Sequence, residues 1–489
     1  MQSLLQSYIL PFFRGHVLLK SSLSLLAMIT LLVMCNKNIE TTAQAQNCTC
    51  GTLIDVEFGP KVPGDNKLVT GQIQANCFAW SEFVALNWPM DPKSSFGKPG
   101  DLSPVQWETY MTREVLLSED GAPPPPWGGW KSPKASEKYA HFLKGQPEGT
   151  KLLFHQSKFN ARNFGVLDEE GQAFPQNGPN WLGAQNNTNI WYEVLINEDE
   201  YNYFVQNGFY NADSQYQYVA TRGNTIALPS GNDQQTGAIE LKASWMEVLS
   251  PADARWNRYK LSKAVLVDAQ TGSARNAVVA LIGLHILHKT ASQPTWFWAT
   301  FEHVDNVPGS GGAANGYNLF NPNCKDQQVQ VPGGCGANKN KQDSTYTVGC
   351  KPNQEPPYYL CAGAGPVAMQ VVRDIPIDPQ AQMANQQMQA YIAQNFPGSV
   401  WANYQLVNMI WSTTPQTQQN NLTPQGLKSM QPAIPVANTA SETFIQSATC
   451  FACHQGASLA PSSQSSNNSK YASDFSFVFE FAGYAGKKK

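Results

Sequence analysis

Late in the chain stands Thr449-Cys450-Phe451-Ala452-Cys453-His454. Two thiols three positions apart can add to the two vinyl groups of one porphyrin, and a histidine directly after them can reach the iron from the proximal side. On that chemistry Cys450 and Cys453 attach a single covalent haem c, and His454 is its proximal iron ligand. The same spacing also suits a thioredoxin-like dithiol or an incidental disulfide. Only 35 residues follow His454. They are too few to enclose a porphyrin, so the other wall of such a site has to come from upstream.

The upstream elements can be read in outline. CFAWSEFVALNWP, Cys77–Pro89, has the pattern of a short helix entering a core and stopped by Pro89. PPPPWGGW, Pro123–Trp130, reads as a stiff polyproline-like loop, and KASEKYAHFLKG as a short helix. WYEVLINEDEYNYFVQNGFY starts as a strand or short helix at Trp191 and then takes helical spacing through Tyr201, Phe204 and Phe209. Strand signals recur at Thr236–Leu249, Arg258–Asp268, Ala274–Thr290 and Pro294–Asp305, rich in Val, Ile, Trp and Phe. They predict one antiparallel or mixed sheet of at least four strands. From Asp378 the chain reads as helical, with Pro379 at a first helical position. The helical stretches are MANQQMQAYIAQNF, VWANYQLVNMIWS and NTASETFIQSATC, the last running into CFACH.

The predicted fold is therefore α+β. A central antiparallel or mixed sheet has flanking helices and a helical C-terminal haem-attachment region, unlike the ordinary small cytochrome c fold. Residues 1–45 read as a signal peptide, 46–375 as a large mixed scaffold with a loop at 306–365, and 376–489 as the region carrying the haem.

Beyond CFACH the chemistry-bearing residues are few. After residue 45 the histidines are His141, His155, His285, His288, His303 and His454. His285 and His288 point to opposite faces of an alternating strand, while Glu240 and Lys242 share a face. His285, His303 and Glu240 are the candidate catalytic groups; strand-end histidines bound to backbone and a structural Glu–Lys pair are the bland alternatives. Met430, Met369 or His285 is the candidate distal ligand, and Met409 reads as core. Methionine on the iron raises the reduction potential and suits electron transfer. Histidine lowers it, and an open side admits peroxide or another small substrate.

Location supports the haem reading. Arg14 and Lys20 precede the apolar run Leu25–Met34, and Ala43-Gln44-Ala45 has the form of a cleavage site. Ten apolar residues are short for a membrane span, so a periplasmic or secreted protein without a transmembrane anchor is expected. Lipid attachment at Cys35 is the weaker alternative, since bulky Met34 precedes it. Export permits disulfides, and the loop cysteines suggest Cys324–Cys335 and Cys350–Cys361, with crossed pairing open and a third bond from Cys77 to Cys48 or Cys50. The chain holds 33 basic and 36 acidic residues, and removing 1–45 takes away Arg14, Lys20, Lys37 and Glu40, leaving it more acidic. That balance excludes the basic patch of a nucleic-acid binder. Rossmann, Walker, nucleophile-elbow and zinc-protease motifs are absent from the sequence.

Taken together, NCFAWSEFVALNWP, GAIELKASW, GLHILHKT, FWATFEHVDNVP, NYQLVNMIW, CFACH and DFSFVF resemble a group of exported bacterial proteins loosely labelled cytochrome c family protein. The resemblance spans roughly residues 75–483. It implies one covalent haem c on a large scaffold and carries no settled reaction. Two functions follow as expectations. The first is electron transfer with a redox partner protein or a small-molecule donor or acceptor. The second is a haem-dependent oxidoreductase, peroxidase- or dehydrogenase-like, whose large domain forms a pocket for a small substrate. A haem-bearing binding or sensory protein is a third.

Overall fold

The structure is a computed structural model that describes residues 46–49, 55–67, 69–128, 141–153, 181–267, 273–309, 316–324, 329–332, 345–348, 350–354, 366–418 and 429–486. The expected signal peptide, His155 and most of the helix expected at KASEKYAHFLKG lie outside these residues.

The strands are β1 (Gln46–Thr49), β2 (Asp55–Phe58), β3 (Met111–Thr112), β4 (Lys151–Leu153), β5 (Ile190–Ile196), β6 (Ile239–Glu247) and β7 (Leu261–Val267). They continue as β8 (Ala274–His288), β9 (Phe297–His303), β10 (Val329–Pro332), β11 (Thr345–Val348), β12 (Tyr404–Ser412) and β13 (Met430–Gln431). The helices are α1 (Gln72–Leu86), α2 (Arg113–Leu116), α3 (Glu198–Asn207), α4 (Ala212–Tyr216), α5 (Pro379–Asn395) and α6 (Cys450–His454).

Nine strands form the main sheet, in the order β13-β12-β9-β8-β6-β5-β3, with β7 on β8 and β4 on β7. All pairs are antiparallel except β4 with β7. The long β8 serves two neighbours along one edge: Ala274–Ala280 pairs with β7, and Gly283–His288 with β9. The four strands expected from residues 236–305 are thus the middle of a mixed sheet with flanking helices. Among the described residues no helix is long and apolar enough to cross a membrane.

One face of the sheet is covered by α1 and α5. Phe78, Trp80 and Phe83 of α1 and Met388 and Ile392 of α5 join Leu241, Ile286, Phe301 and Leu406 from the strands in one core. Asp378 caps α5 by accepting from the Gln380 N–H, with Pro379 in the first turn. The opposite face carries two further clusters. Leu287, Trp298, Val194 and Ile410 pack with Phe451, Phe475 and Phe479. Ile190, Met246 and Ile282 pack with Met369, Val371 and Ala440.

Three expectations change. VWANYQLVNMIWS is a short 3-10 turn, Val400–Asn403, followed by strand β12. Every residue of that strand is buried, and a run buried on both faces carries no clear period that separates strand from helix. NTASETFIQSATC forms turns, because its Asn, Thr and Ser side chains bind strands and backbone instead of leaving a helix to form. The C-terminal region is therefore not mainly helical, and the boundary drawn at 375/376 runs through a single sheet, since β12 pairs with β9. Third, Cys324 is bonded to Cys350 rather than to Cys335. The β10–β11 ladder sets Val329 opposite Val348, which draws the chain just before one strand to the chain just after the other. Cys335 and Cys361 lie outside the described residues. Cys77 is disulfide-bonded as well.

Candidate haem-attachment site

CFACH forms the single short helix α6, with Thr449 as its N-cap accepting from the Ala452 N–H. Positions three apart share a side of a helix, so Cys450 and Cys453 lie together. Both are half-exposed, and neither is disulfide-bonded. Phe451 points the other way, buried against Phe475 with ring centroids 5.5 Å apart.

His454 is buried. Its Nδ1 lies 2.7 Å from the Phe475 carbonyl oxygen. A carbonyl only accepts, so Nδ1 carries the proton, and in the neutral ring Nε2 becomes the lone-pair nitrogen. Trp298 of β9 and Phe477 pack edge-on against the ring at 4.6 and 4.8 Å. Gln418 ties the surroundings together: its Nε2 donates to the Gln455 carbonyl at 3.0 Å, and its Oε1 accepts from the Phe475 N–H at 2.6 Å. Two thiols on one helix side and an imidazole held with Nε2 as its metal-binding nitrogen fit a covalently attached haem. Trp298, from an upstream strand, packs directly on the His454 ring.

The other candidate residues are spread over both sheet faces. His303 and His288 lie on the helix-covered face. The His303 Nε2–H donates to the Arg258 carbonyl at 3.1 Å, and its Nδ1 accepts from the Asp305 N–H at 3.1 Å. The ring stacks on Tyr259 at 3.8 Å. Burial pushes its pKa down to about 4, against the opposing pull of Asp305. Both nitrogens are committed to backbone, on the face opposite α6. His288 holds Glu82 of α1 at 2.5 Å through Nδ1 and the Thr236 carbonyl at 2.6 Å through Nε2; burial raises the Glu82 carboxyl above its usual range, His288 pulling it back.

Glu240 and Lys242 share the second face, as alternation within their strand requires, and the register places His285 there too. Lys242 is directly opposite His285 in the ladder and Glu240 opposite Leu287, and all three are buried. His285 Nε2 is 3.3 Å from a Glu442 carboxylate oxygen. They belong to a polar belt between the two apolar clusters of that face. Met430 lies in the cluster with Phe451 and Trp298, Met369 in the other cluster, and Met409 in the core of the helix-covered face.

Trp298, Phe475 and Gln418 were not singled out in the sequence. Trp298 was visible as one of an aromatic run in PTWFWATFEHVD, and Phe475 as part of the last apolar segment. Nothing marked Gln418, which sits among other glutamines in TPQTQQ. Among the described residues no group of three or more His, Cys, Asp and Glu side chains is arranged to hold a metal ion. Comparison with family models, with curated proteins and with solved structures gave no match to this chain.

Proposed function

We propose that this chain is an exported monohaem c-type cytochrome that carries electrons between a redox partner protein or small molecule and another. The observation that carries the reading is the pairing of two thiols on one side of α6 with His454, whose Nδ1 is bound to the Phe475 carbonyl. Cys450 and Cys453 would hold the haem through thioether bonds and His454 would ligate the iron through Nε2. When bound, the haem supplies a one-electron redox centre. Trp298 and Phe477 keep the His454 ring in place and exclude water from it. Met430, which packs in the apolar cluster of Trp298, is the residue we propose would serve as a further protein ligand of the iron. The chain belongs, on this reading, in the periplasm or outside the cell, where haem is attached and the Cys324–Cys350 bond persists.

The oxidoreductase alternative would draw on His285, Glu240 and His303. All three are buried, and His303 lies on the other face of the sheet from the first two, which supports the carrier instead. Protein made with the cytochrome c maturation machinery should keep its haem through acid and organic-solvent extraction, and Cys450→Ala with Cys453→Ala should lose all of it. Wild-type protein without covalent haem under those conditions would overturn the proposal and return the pair to the dithiol reading.

A further inference from the structure

The carbonyl that holds His454 belongs to an unusual piece of backbone. Asp474 and Phe475 both have left-handed φ values, 59° and 68°. Side chains with a Cβ are uncommon there, and each such residue is strained by about 1 kcal/mol or more. Two in succession persist only if the surroundings hold them.

Four upstream groups do so. The Lys289 ammonium, one residue beyond the end of β8, pairs with Asp474 Oδ2, and both side chains are almost wholly buried. The Leu228 N–H donates to the same oxygen at 2.7 Å. The Trp296 indole N–H donates to the Asp474 carbonyl at 3.0 Å. Gln418 Oε1 accepts from the Phe475 N–H. With those polar groups bound from outside, the Phe475 carbonyl is left facing His454.

A buried ion pair is weak evidence for stability, because desolvation offsets most of the attraction. Close packing alone would not need a charge here. We propose that Lys289, Asp474 and Gln418 are positioning residues for His454: they hold the left-handed Asp474–Phe475 bend so that its carbonyl fixes the tautomer and the orientation of the imidazole. The partner of a ligating histidine's second nitrogen tunes both, and its loss typically lowers metal affinity or activity by about 10–100-fold. This role rests on the haem reading, yet the hydrogen bond can be followed separately from it.

Asp474→Asn is the sharpest probe, since Asn tolerates the left-handed region and only the charge is lost. It leaves Lys289 buried without its counter-charge, so Lys289→Met with Asp474→Asn is made alongside, and Gln418→Met tests the other support. Asp305→Asn, which weakens the bidentate Arg258–Asp305 pair, is the control for general loosening. The measurement is hydrogen–deuterium exchange of the His454 Nδ1 proton in the full-length ferric protein, read from its hyperfine-shifted resonance. Exchange should be slow in the wild type and at least about tenfold faster in the Asp474→Asn, double and Gln418→Met variants, with haem content and circular dichroism retained and Asp305→Asn unchanged. Unaltered exchange in the double and Gln418→Met variants overturns the proposal, and so does equal acceleration in Asp305→Asn. Should the wild type hold no covalent haem, the function above fails but this inference is still tested. Nitrogen-15 histidine spectra of the same chain should then show the Nδ1–H tautomer of His454 in the wild type and its loss in the double variant. A tautomer unchanged between the two overturns the inference.

Discussion

The two faces of the sheet are closed in different ways. Helices α1 and α5 cover one, and since helices satisfy their own backbone, the strands beneath them present Phe297, Ala299 and Phe301. Irregular chain covers the middle of the other, at residues 436–446, and its backbone needs partners. The strand residues that alternate with those aromatics supply them. Asn438 donates to Thr300 Oγ1 and to the Phe301 carbonyl, while Glu302 accepts from the Thr439 N–H and hydroxyl, from Gln405 and from Arg373. Gly283 leaves room for this chain, since a Cβ there would lie 3.1 Å from the Asn438 amide. A buried polar belt thus follows from covering a sheet with loop, and the same loop delivers the chain to CFACH.

Truncation should separate the faces most sharply. Glu302→Ala and Phe83→Ala should each lower stability by about 3–5 kcal/mol in urea unfolding, the first by stranding Arg373 and the second by opening a cavity. Replacing both Glu302 and Arg373, as Glu302→Leu with Arg373→Met, should recover most of the loss. Failure to recover would show that the belt acts through more than its ion pair.

A smaller effect comes from acid. His303 is held neutral, its folded pKa near 4 lying below its ordinary value of 6.5. Protons therefore favour the unfolded chain in that window: stability is full above about pH 6.5 and falls, by up to roughly 3 kcal/mol, as pH drops towards 4. Unfolding curves across the window should show this fall, and His303→Gln should flatten it. A slope unchanged in the variant would place the acid sensitivity elsewhere; Glu108 adds a separate fall only below about pH 4.5. Burial raises that carboxyl, but Lys260 and Lys151 outweigh it and hold it below its usual range. The smallest effect expected is at the edge of the helix-covered face. Asp378→Ala removes the α5 cap and should cost about 1 kcal/mol, with the His454 surroundings untouched; a changed nitrogen-15 signal of His454 there would mean that the two faces communicate.

Much of this was legible in the residues. β6 through β9 announce themselves by β-branched and aromatic runs between turn residues, while β5 reads equally as strand or short helix; Asp378-Pro379 marks the start of α5, because both signals depend on neighbours in the chain. β12 was not legible, since burial on both faces erases its period, nor was residues 436–446, where the folded partners Glu302 and Thr300 decide the conformation. CFACH likewise brings two thiols and a histidine together through its own spacing, but nothing local connects it to Lys289, Trp296, Trp298 or Gln418.

By itself the sequence determined the spacing of two thiols and a histidine, the strand and helix periods, and a slight excess of acidic over basic residues. The first two depend on residues within a few positions of one another. Only the tertiary structure decided that Cys324 bonds Cys350, that His303 and His285 lie on opposite faces, and that the Phe475 carbonyl meets His454. Those pairings join segments far apart in the chain, and they arise from sheet register and from the burial of polar groups that must find a partner.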